Sequence, residues 1–253
     1  MGDRTREPFP RGTFCWADAG VRDLARTVDF YTGLFGWEAR ELDSVPGQYV
    51  TFLAEGRAVA GAGVAPVETD VWNLFLAVED SEAEVTRCVA AGASLLVEPS
   101  AVPGSGRFTM LQDPSGAGVG LWEPAPFAGF EVLDAPGAPS WFELSTRDLP
   151  AAEAFYAEAF GWRFERAAVG VPYAQAFAGD RMVAGVMDAN AFLPSEIPSH
   201  WGWYVTVEDA AASTARAVEL GGTVVREPDP TPFGLLGWIL DPGGASVKLH
   251  QPA

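Results

Sequence analysis

The sequence predicts an α+β protein made by tandem duplication, with four βαβββ units forming two cupped mixed sheets and the helices on the convex side. Three observations carry that prediction. The pattern Trp16…Arg22-Asp23-Leu24…Phe30-Tyr31…Phe35-Gly36-Trp37 returns as Trp141…Arg147-Asp148-Leu149…Phe155-Tyr156…Phe160-Gly161-Trp162, always 125 residues later. A period that long is a duplicated domain, not a solenoid. The turn Asp113-Pro114-Ser115-Gly116 returns as Asp241-Pro242-Gly243-Gly244, 128 residues later. Helical and alternating apolar periods also follow one another in the same order in both halves.

Residues 13–21 read as the first strand. A helix follows from about Asp23 to Phe35, with Leu24, Val28, Tyr31 and Phe35 at helical spacing and Gly36 as its stop. Strands are expected near 49–54 and 58–63 around the turn Glu55-Gly56, then a connector at 66–70 and a strand at 72–78. Ser81-Glu82-Ala83-Glu84 reads as a capping box opening a second helix that Gly92 ends. Strands at 95–97, 107–112 and 118–122 complete the first module, the last two joined by the Asp113 turn. The second module repeats the order: strand 140–146, helix 148–160, strands near 173–178 and 182–187, and a connector at 188–199. It continues with strand 201–207, helix 209–220, and strands 223–226, 235–240 and 245–250. The predicted organisation is an N-terminal arm (1–11, floppy or draped), a module (12–123), a Pro/Gly/Ala-rich linker (124–139) and a second module (140–253).

The chain of 253 residues is 48% hydrophobic and has no apolar run long enough to cross a bilayer. The N-terminal segment lacks the apolar core of a signal peptide. Cys15 and Cys88 both lie in the first half, without counterparts in the second, and are expected as buried free thiols, which implies a cytoplasmic location. A formal net charge of −18 argues against nucleic acid and anionic membrane as partners. Of the 16 basic residues, Lys248 is the sole lysine.

The run "DLxxAxxFYxxxFGW" after a first strand, "VED" before the second helix and "DPxG" before the last strand resemble the glyoxalase/bleomycin resistance/extradiol dioxygenase (vicinal oxygen chelate) superfamily. The tandem arrangement is similar to actinobacterial two-module glyoxalase-like proteins, often labelled hydroxylases. The resemblance spans about residues 12–252. It implies a divalent metal held by His and Glu side chains on the cup face: one ligand seven residues before the Asp of "D-L", one seven before the Asp of "E-D", and a Glu seven after the Asp of "DPxG". Those slots hold Trp16, Asn73 and Gly120 in the first module, and Trp141, Gly202 and Lys248 in the second. Tryptophan and glycine offer no side-chain donor atom, and lysine ligates only when deprotonated. The expectation is therefore no metal and no cofactor. A displaced metal site built from Asp18, Glu143, His200 and His250 stays open as an alternative.

Strand alternation assigns faces. In phase with the ligand slots of the second module are Trp141, Glu143 and Ser145; His200, Gly202, Tyr204 and Thr206; and Ser246, Lys248 and His250. The out-of-phase set (Phe142, Leu144, Trp201, Trp203, Val205, Val207, Val247, Leu249) is apolar and suits packing under helices. The in-phase set of the first module is emptier: Trp16, Asp18, Asn73, Phe75, Ala77, Gly118, Gly120 and Trp122. Lys248, His250 and Glu143 are the candidate catalytic residues. Lys248 reads either as the partner of Glu143 in a compensated ion pair or as a cationic anchor or base. His250 reads either as a rim residue or as a general acid or base. Candidate ligand-binding residues are Trp141, Tyr204, Tyr173, Gln175, His200, Trp16, Asp18, Asn73 and Trp122. Tyr49 and Tyr173 are repeat-equivalent, but parity leaves their face undetermined. Replacing ligands by tryptophan either fills the cup or gives it a stacking surface. Three functions stay open. One is a metal-independent protein that holds a small, partly aromatic molecule, of resistance or carrier type. A second is a cofactor-free tailoring enzyme, hydroxylase- or isomerase-like, on a polyketide-like or other small substrate. The third is a metal-dependent lyase or dioxygenase that uses the displaced residues. The expected partner is a small molecule, and the expected assembly a monomer with internally paired modules.

Overall fold

The computed structural model describes residues 9–42, 47–168 and 170–253. The first repeat contains β1 (Phe14–Val21), α1 (Leu24–Phe35), β2 (Glu38–Glu41), β3 (Tyr49–Ala54) and β4 (Arg57–Val64), followed by β5 (Val71–Ala77), α2 (Ser81–Ala90), β6 (Ser94–Val102), β7 (Gly106–Gln112) and β8 (Gly118–Pro124). The second contains β9 (Pro139–Thr146), α3 (Leu149–Phe160), β10 (Arg163–Arg166), β11 (Tyr173–Ala178) and β12 (Arg181–Asp188), then β13 (His200–Thr206), α4 (Ala210–Glu219), β14 (Thr223–Thr231), β15 (Gly234–Leu240) and β16 (Ser246–Gln251). The strands form two eight-stranded mixed sheets, ordered β2-β3-β4-β1-β5-β8-β7-β6 and β10-β11-β12-β9-β13-β16-β15-β14. In each βαβββ unit the helix lets the first strand run parallel to the last, as in β1 with β4 and β5 with β8. The intervening hairpins make the other pairs antiparallel.

All four helices start on an aspartate that the motifs contain. The carboxylates of Asp23, Asp80, Asp148 and Asp209 accept from the backbone N–H three residues on, each satisfying a donor the helix leaves open. Gly36 and Gly161, with φ of 69° and 72°, close α1 and α3 in the left-handed conformation that glycine adopts without strain. The expected capping box at Ser81–Glu84 is corrected. Asp80 caps α2, while Glu84 accepts from Arg11 and Arg87. Arg11 also donates to the Ala159 and Phe160 carbonyls at the end of α3. The arm is therefore held at Arg11, and the rest of the arm expectation falls on residues 1–8, outside the described residues. Two strands escaped the sequence reading. β2 is Glu-Ala-Arg-Glu and β10 is Arg-Phe-Glu-Arg. Both are short, charged edge strands with no apolar alternation to detect, the composition that discourages edge-to-edge pairing.

By spatial clustering the residues fall into two compact units that do not coincide with the sequence repeats. One contains residues up to Trp16 with Leu74–Gly129 and Trp141–Trp201; the other contains Ala17–Asn73, Phe130–Ser140 and Gly202–Ala253. Each unit thus combines a βαβββ piece from each repeat. In the first, α2 packs on β6, β7 and β8 and meets α3; in the second, α4 packs on β14, β15 and β16 and meets α1.

The same buried hydrogen-bond bridge sits in each unit. In the first, the Tyr156 hydroxyl accepts from Trp201 Nε1 at 2.7 Å and donates to Asp113 Oδ2 at 3.0 Å. In the second, the Tyr31 hydroxyl accepts from Trp72 Nε1 at 2.8 Å and donates to Asp241 Oδ2 at 3.1 Å. The other oxygen of each aspartate closes the turn, accepting from Ser115 and Ala117 or from Gly243 and Ala245. Burial and the neighbouring aspartate push both phenols well above their ordinary pKa. Both tyrosines and Phe30 and Phe155 beside them are fully buried, so the motif "FY" builds core. The linker is packed as well. Trp37 Nε1 donates to the Gly137 carbonyl at 2.7 Å, Ala58 N–H donates to the Glu131 carboxylate at 2.7 Å, and Phe130 is fully buried.

Replacing Tyr156 with phenylalanine removes an acceptor from Trp201 and a donor from Asp113 inside the core. Urea unfolding should show a loss of about 2–4 kcal/mol, with Tyr31→Phe costing a similar amount in the other unit.

Candidate functional site

The in-phase face carries three clusters, each lying within one unit. The first is a transverse row in the second unit. Tyr204, Lys248 and Trp238 occupy partnered positions on neighbouring strands β13, β16 and β15. Lys248 Nζ lies 4.9 Å from the centre of the Tyr204 ring and 5.7 Å from that of Trp238. Lys248 is only 7% exposed, so its ammonium has given up most of its water for aromatic faces and protein groups. Trp238 is fixed by its indole N–H, which donates to Ser246 Oγ at 2.6 Å. Trp238 was absent from the sequence candidates. Its pairing with Lys248 across β15 and β16 depends on a register that no local pattern gives.

The second cluster is a carboxylate–phenol pair. In the second unit, Asp18 on β1 is partnered with Gly61 on β4, and the Tyr49 hydroxyl donates to the Asp18 carboxylate. A Cβ at Gly61 would overlap the Tyr49 hydroxyl, and one at Gly63 would sit 2.9 Å from its ring, so the two glycines make the bed on which the phenol lies. Burial raises Asp18, the Tyr49 hydrogen bond partly offsets this, and the carboxyl is pushed up to about 6. The repeat puts the equivalent residues in the first unit. Glu143 on β9 is partnered with Gly185 on β12, a Cβ at Gly185 would overlap the Tyr173 hydroxyl, and Gln175 flanks Gly185 on the other side. Trp141 Nε1 donates to that hydroxyl at 3.3 Å. This settles the face of Tyr49 and Tyr173. The offset of 124 between Tyr49 and Tyr173, shared by Gly61 and Gly185, was the available signal.

The third cluster fills space. Phe127 of the linker meets Trp16 edge-on at 4.8 Å and Trp122 at 6.0 Å, and its carbonyl accepts from Trp122 Nε1 at 2.7 Å. Trp16 and Trp122, expected as a possible stacking surface, are instead 4% and 6% exposed and packed against their own chain.

The remaining candidates take up structural positions. Both ring nitrogens of His250 are engaged: Nε2 donates to the Phe233 carbonyl at 2.9 Å and Nδ1 accepts from Ser140 Oγ at 3.0 Å. That arrangement fits a fixed strand-edge imidazole better than a general acid or base. His200 Nδ1 donates to the Pro198 carbonyl at 3.0 Å as the chain enters β13. Asn73 stands on β5 with its amide 3.8 Å from where a Gly20 Cβ would be. Cys15 and Cys88 are buried free thiols; burial raises both, Cys88 to about 12, so neither is poised as a thiolate nucleophile.

The residues do not fit the metal that the fold implies. At the Gly120 slot the Phe75 ring lies across the strand where a Cβ would be. The Trp16 slot is packed on Phe127. The Lys248 slot presents an ammonium enclosed by aromatic rings. Among the described residues no group of three or more His, Cys, Asp or Glu side chains is placed to hold a metal ion. The displaced site from Asp18, Glu143, His200 and His250, left open as an alternative, has no such group to stand on among the described residues.

The family model described as "Glyoxalase/Bleomycin resistance protein/Dioxygenase superfamily" matches residues 14–121 and 138–249. The chain is 34% identical over 261 residues to the "Anthracycline biosynthesis protein DnrV" of Streptomyces peucetius, covering 96% of this chain and 94% of that protein. It is 33% identical over 259 residues to CFP32 of Mycobacterium tuberculosis, which carries a provisional name as a glyoxylase, with 98% of each covered. Among solved structures it is similar to the Mn(II)-bound glyoxalase from Novosphingobium aromaticivorans. There the TM-score is 0.67 at 18% identity, over 96% of this chain and 83% of that one; at that identity the likeness concerns the fold.

A carboxyl raised from 3.8 to about 6 holds its proton more tightly folded than unfolded. Its ionisation therefore weakens the fold as pH rises from about 4 through 6, by on the order of 2–3 kcal/mol at most. Asp18→Asn lacks that ionisation. Guanidinium unfolding should show it more stable than the parent at pH 8, with the advantage shrinking towards zero at pH 4.

Proposed function

From the premise that the chain belongs to the glyoxalase/bleomycin resistance protein/dioxygenase superfamily while its residues do not fit that fold's metal, we propose a metal-independent protein that binds a small planar aromatic molecule. The row Tyr204–Lys248–Trp238 carries this reading. A mostly buried ammonium stands where the resemblance puts a metal-binding glutamate, so the cation that would meet a ligand oxygen is supplied by the chain. Phenolate, enolate and carboxylate oxygens are the groups such a charge favours, through charge-assisted hydrogen bonds. The flanking tyrosine and tryptophan suit a flat conjugated ring. Similarity to an anthracycline biosynthesis protein supports polycyclic aromatic molecules with acidic hydroxyls as the ligand class, held for carriage or resistance. A cofactor-free tailoring enzyme is the second reading, favoured by the Asp18–Tyr49 pair.

Tryptophan-fluorescence titration with 1,8-dihydroxyanthraquinone tests the proposal. Binding by the parent protein should be unaffected by EDTA. Lys248→Met should weaken it about tenfold to a hundredfold, the worth of one hydrogen bond to a charged group. Affinity unchanged in a folded Lys248→Met protein, or affinity that needs an added divalent metal, would overturn it.

A further inference from the structure

We infer that the Asp18–Tyr49 pair is a proton-transfer site for a carbon acid, a small ketone with an acidic hydrogen next to its carbonyl. It rests on the tailoring-enzyme reading, to which it gives a reaction, and stands on different residues from the Lys248 row that carries the binding reading.

The geometry carries it. A carboxylate and a phenol meet on the in-phase face of β1 and β3, and two glycines of β4 make room for the phenol. Asp18 and Tyr49 both keep part of their surface exposed, so the pair is not sealed in the core. The duplication supplies a second observation: Glu143, Tyr173 and Gly185 take the equivalent places, with an acid one methylene longer. The carboxyl at about 6 is also a stronger base than an ordinary aspartate while remaining ionised near neutral pH.

The step balances without an oxidant, a reductant or a co-substrate. Asp18 takes the hydrogen as the substrate C–H bond breaks, and the electron pair moves through the new C=C bond onto the carbonyl oxygen. Protonated Asp18 no longer needs the Tyr49 hydrogen, so the phenol turns to donate to the enolate oxygen. Asp18 then returns its proton to the same carbon, giving hydrogen exchange, or to another position of the conjugated system, giving a tautomer.

The test is hydrogen–deuterium exchange of 2-tetralone, a bicyclic ketone with acidic benzylic hydrogens, followed by proton NMR in D2O at neutral pD. The full chain should accelerate exchange above buffer. Asp18→Asn should lower the protein-dependent rate at least a hundredfold, Tyr49→Phe about tenfold, and the exposed carboxylate control Asp29→Asn should leave it unchanged. Should Asp18→Asn fail to fold by circular dichroism, Tyr49→Phe and Asp18→Glu take its place, and both must lower the rate. No protein-dependent exchange, equal loss in Asp29→Asn, or full exchange in the folded dyad variants would overturn the inference. Loss of dihydroxyanthraquinone binding in Lys248→Met leaves these outcomes untouched, so the two claims fail separately.

Discussion

A single buried tyrosine hydroxyl in each unit holds together parts of the chain that are far apart in sequence. Tyr31 reaches Asp241, 210 residues away, and takes a hydrogen bond from Trp72. Tyr156 does the same with Asp113 and Trp201. A phenol is suited to this because it accepts and donates at one atom while its ring fills core volume. The aspartate it meets has already spent its other oxygen on closing a tight turn. Helix α1 is thereby tied to the turn before β16, and α3 to the turn before β8. Packing and turn closure thus account for the most recognisable residues of the repeat, the Phe-Tyr pair and the Asp-Pro turn. They are the means by which a duplicated sequence folds as two units that each mix its halves.

With the scaffold fixed in duplicate, the two halves were free to diverge on the in-phase face. The equivalent rows show how far they went. Phe75, Gly120 and Met110 are partnered across β5, β8 and β7, and the Phe75 ring occupies the room above Gly120. Tyr204, Lys248 and Trp238 stand in the matching places and enclose a charge. One row is closed with apolar volume, and the other holds a cation between aromatic rings. The carboxylate, phenol and glycine positions are present in both copies.

Most of this fold was legible in the residues because duplication doubles every signal. The helices and the apolar face of Trp203, Leu144 and Leu249 follow from period and offset. Short charged edges such as Glu38–Glu41 carry no apolar period, and they were missed. At the site, Lys248 stood out by being the sole lysine, but its aromatic neighbour Trp238 is fixed by strand register. The plug formed by Phe127 comes from a segment that reads as a featureless linker, and its burial depends on an indole N–H finding a backbone carbonyl. For His250 the sequence leaves two readings open. Parity placed it on an interesting face, while its hydrogen bonds to Ser140 and Phe233 are decided by where neighbouring strands end.

Cationic charge at the second-module site comes either from Lys248 or from a bound metal. Native mass spectrometry of the purified chain, run beside elemental analysis after growth in metal-supplemented medium, addresses that choice directly. With Lys248 as the cation, the chain mass should carry less than about a tenth of an equivalent of manganese, iron or zinc, and any additional mass should be organic. A near-stoichiometric metal that survives desalting and is lost in Lys248→Met would contradict it, because the residue described as an enclosed ammonium would then be serving as a ligand.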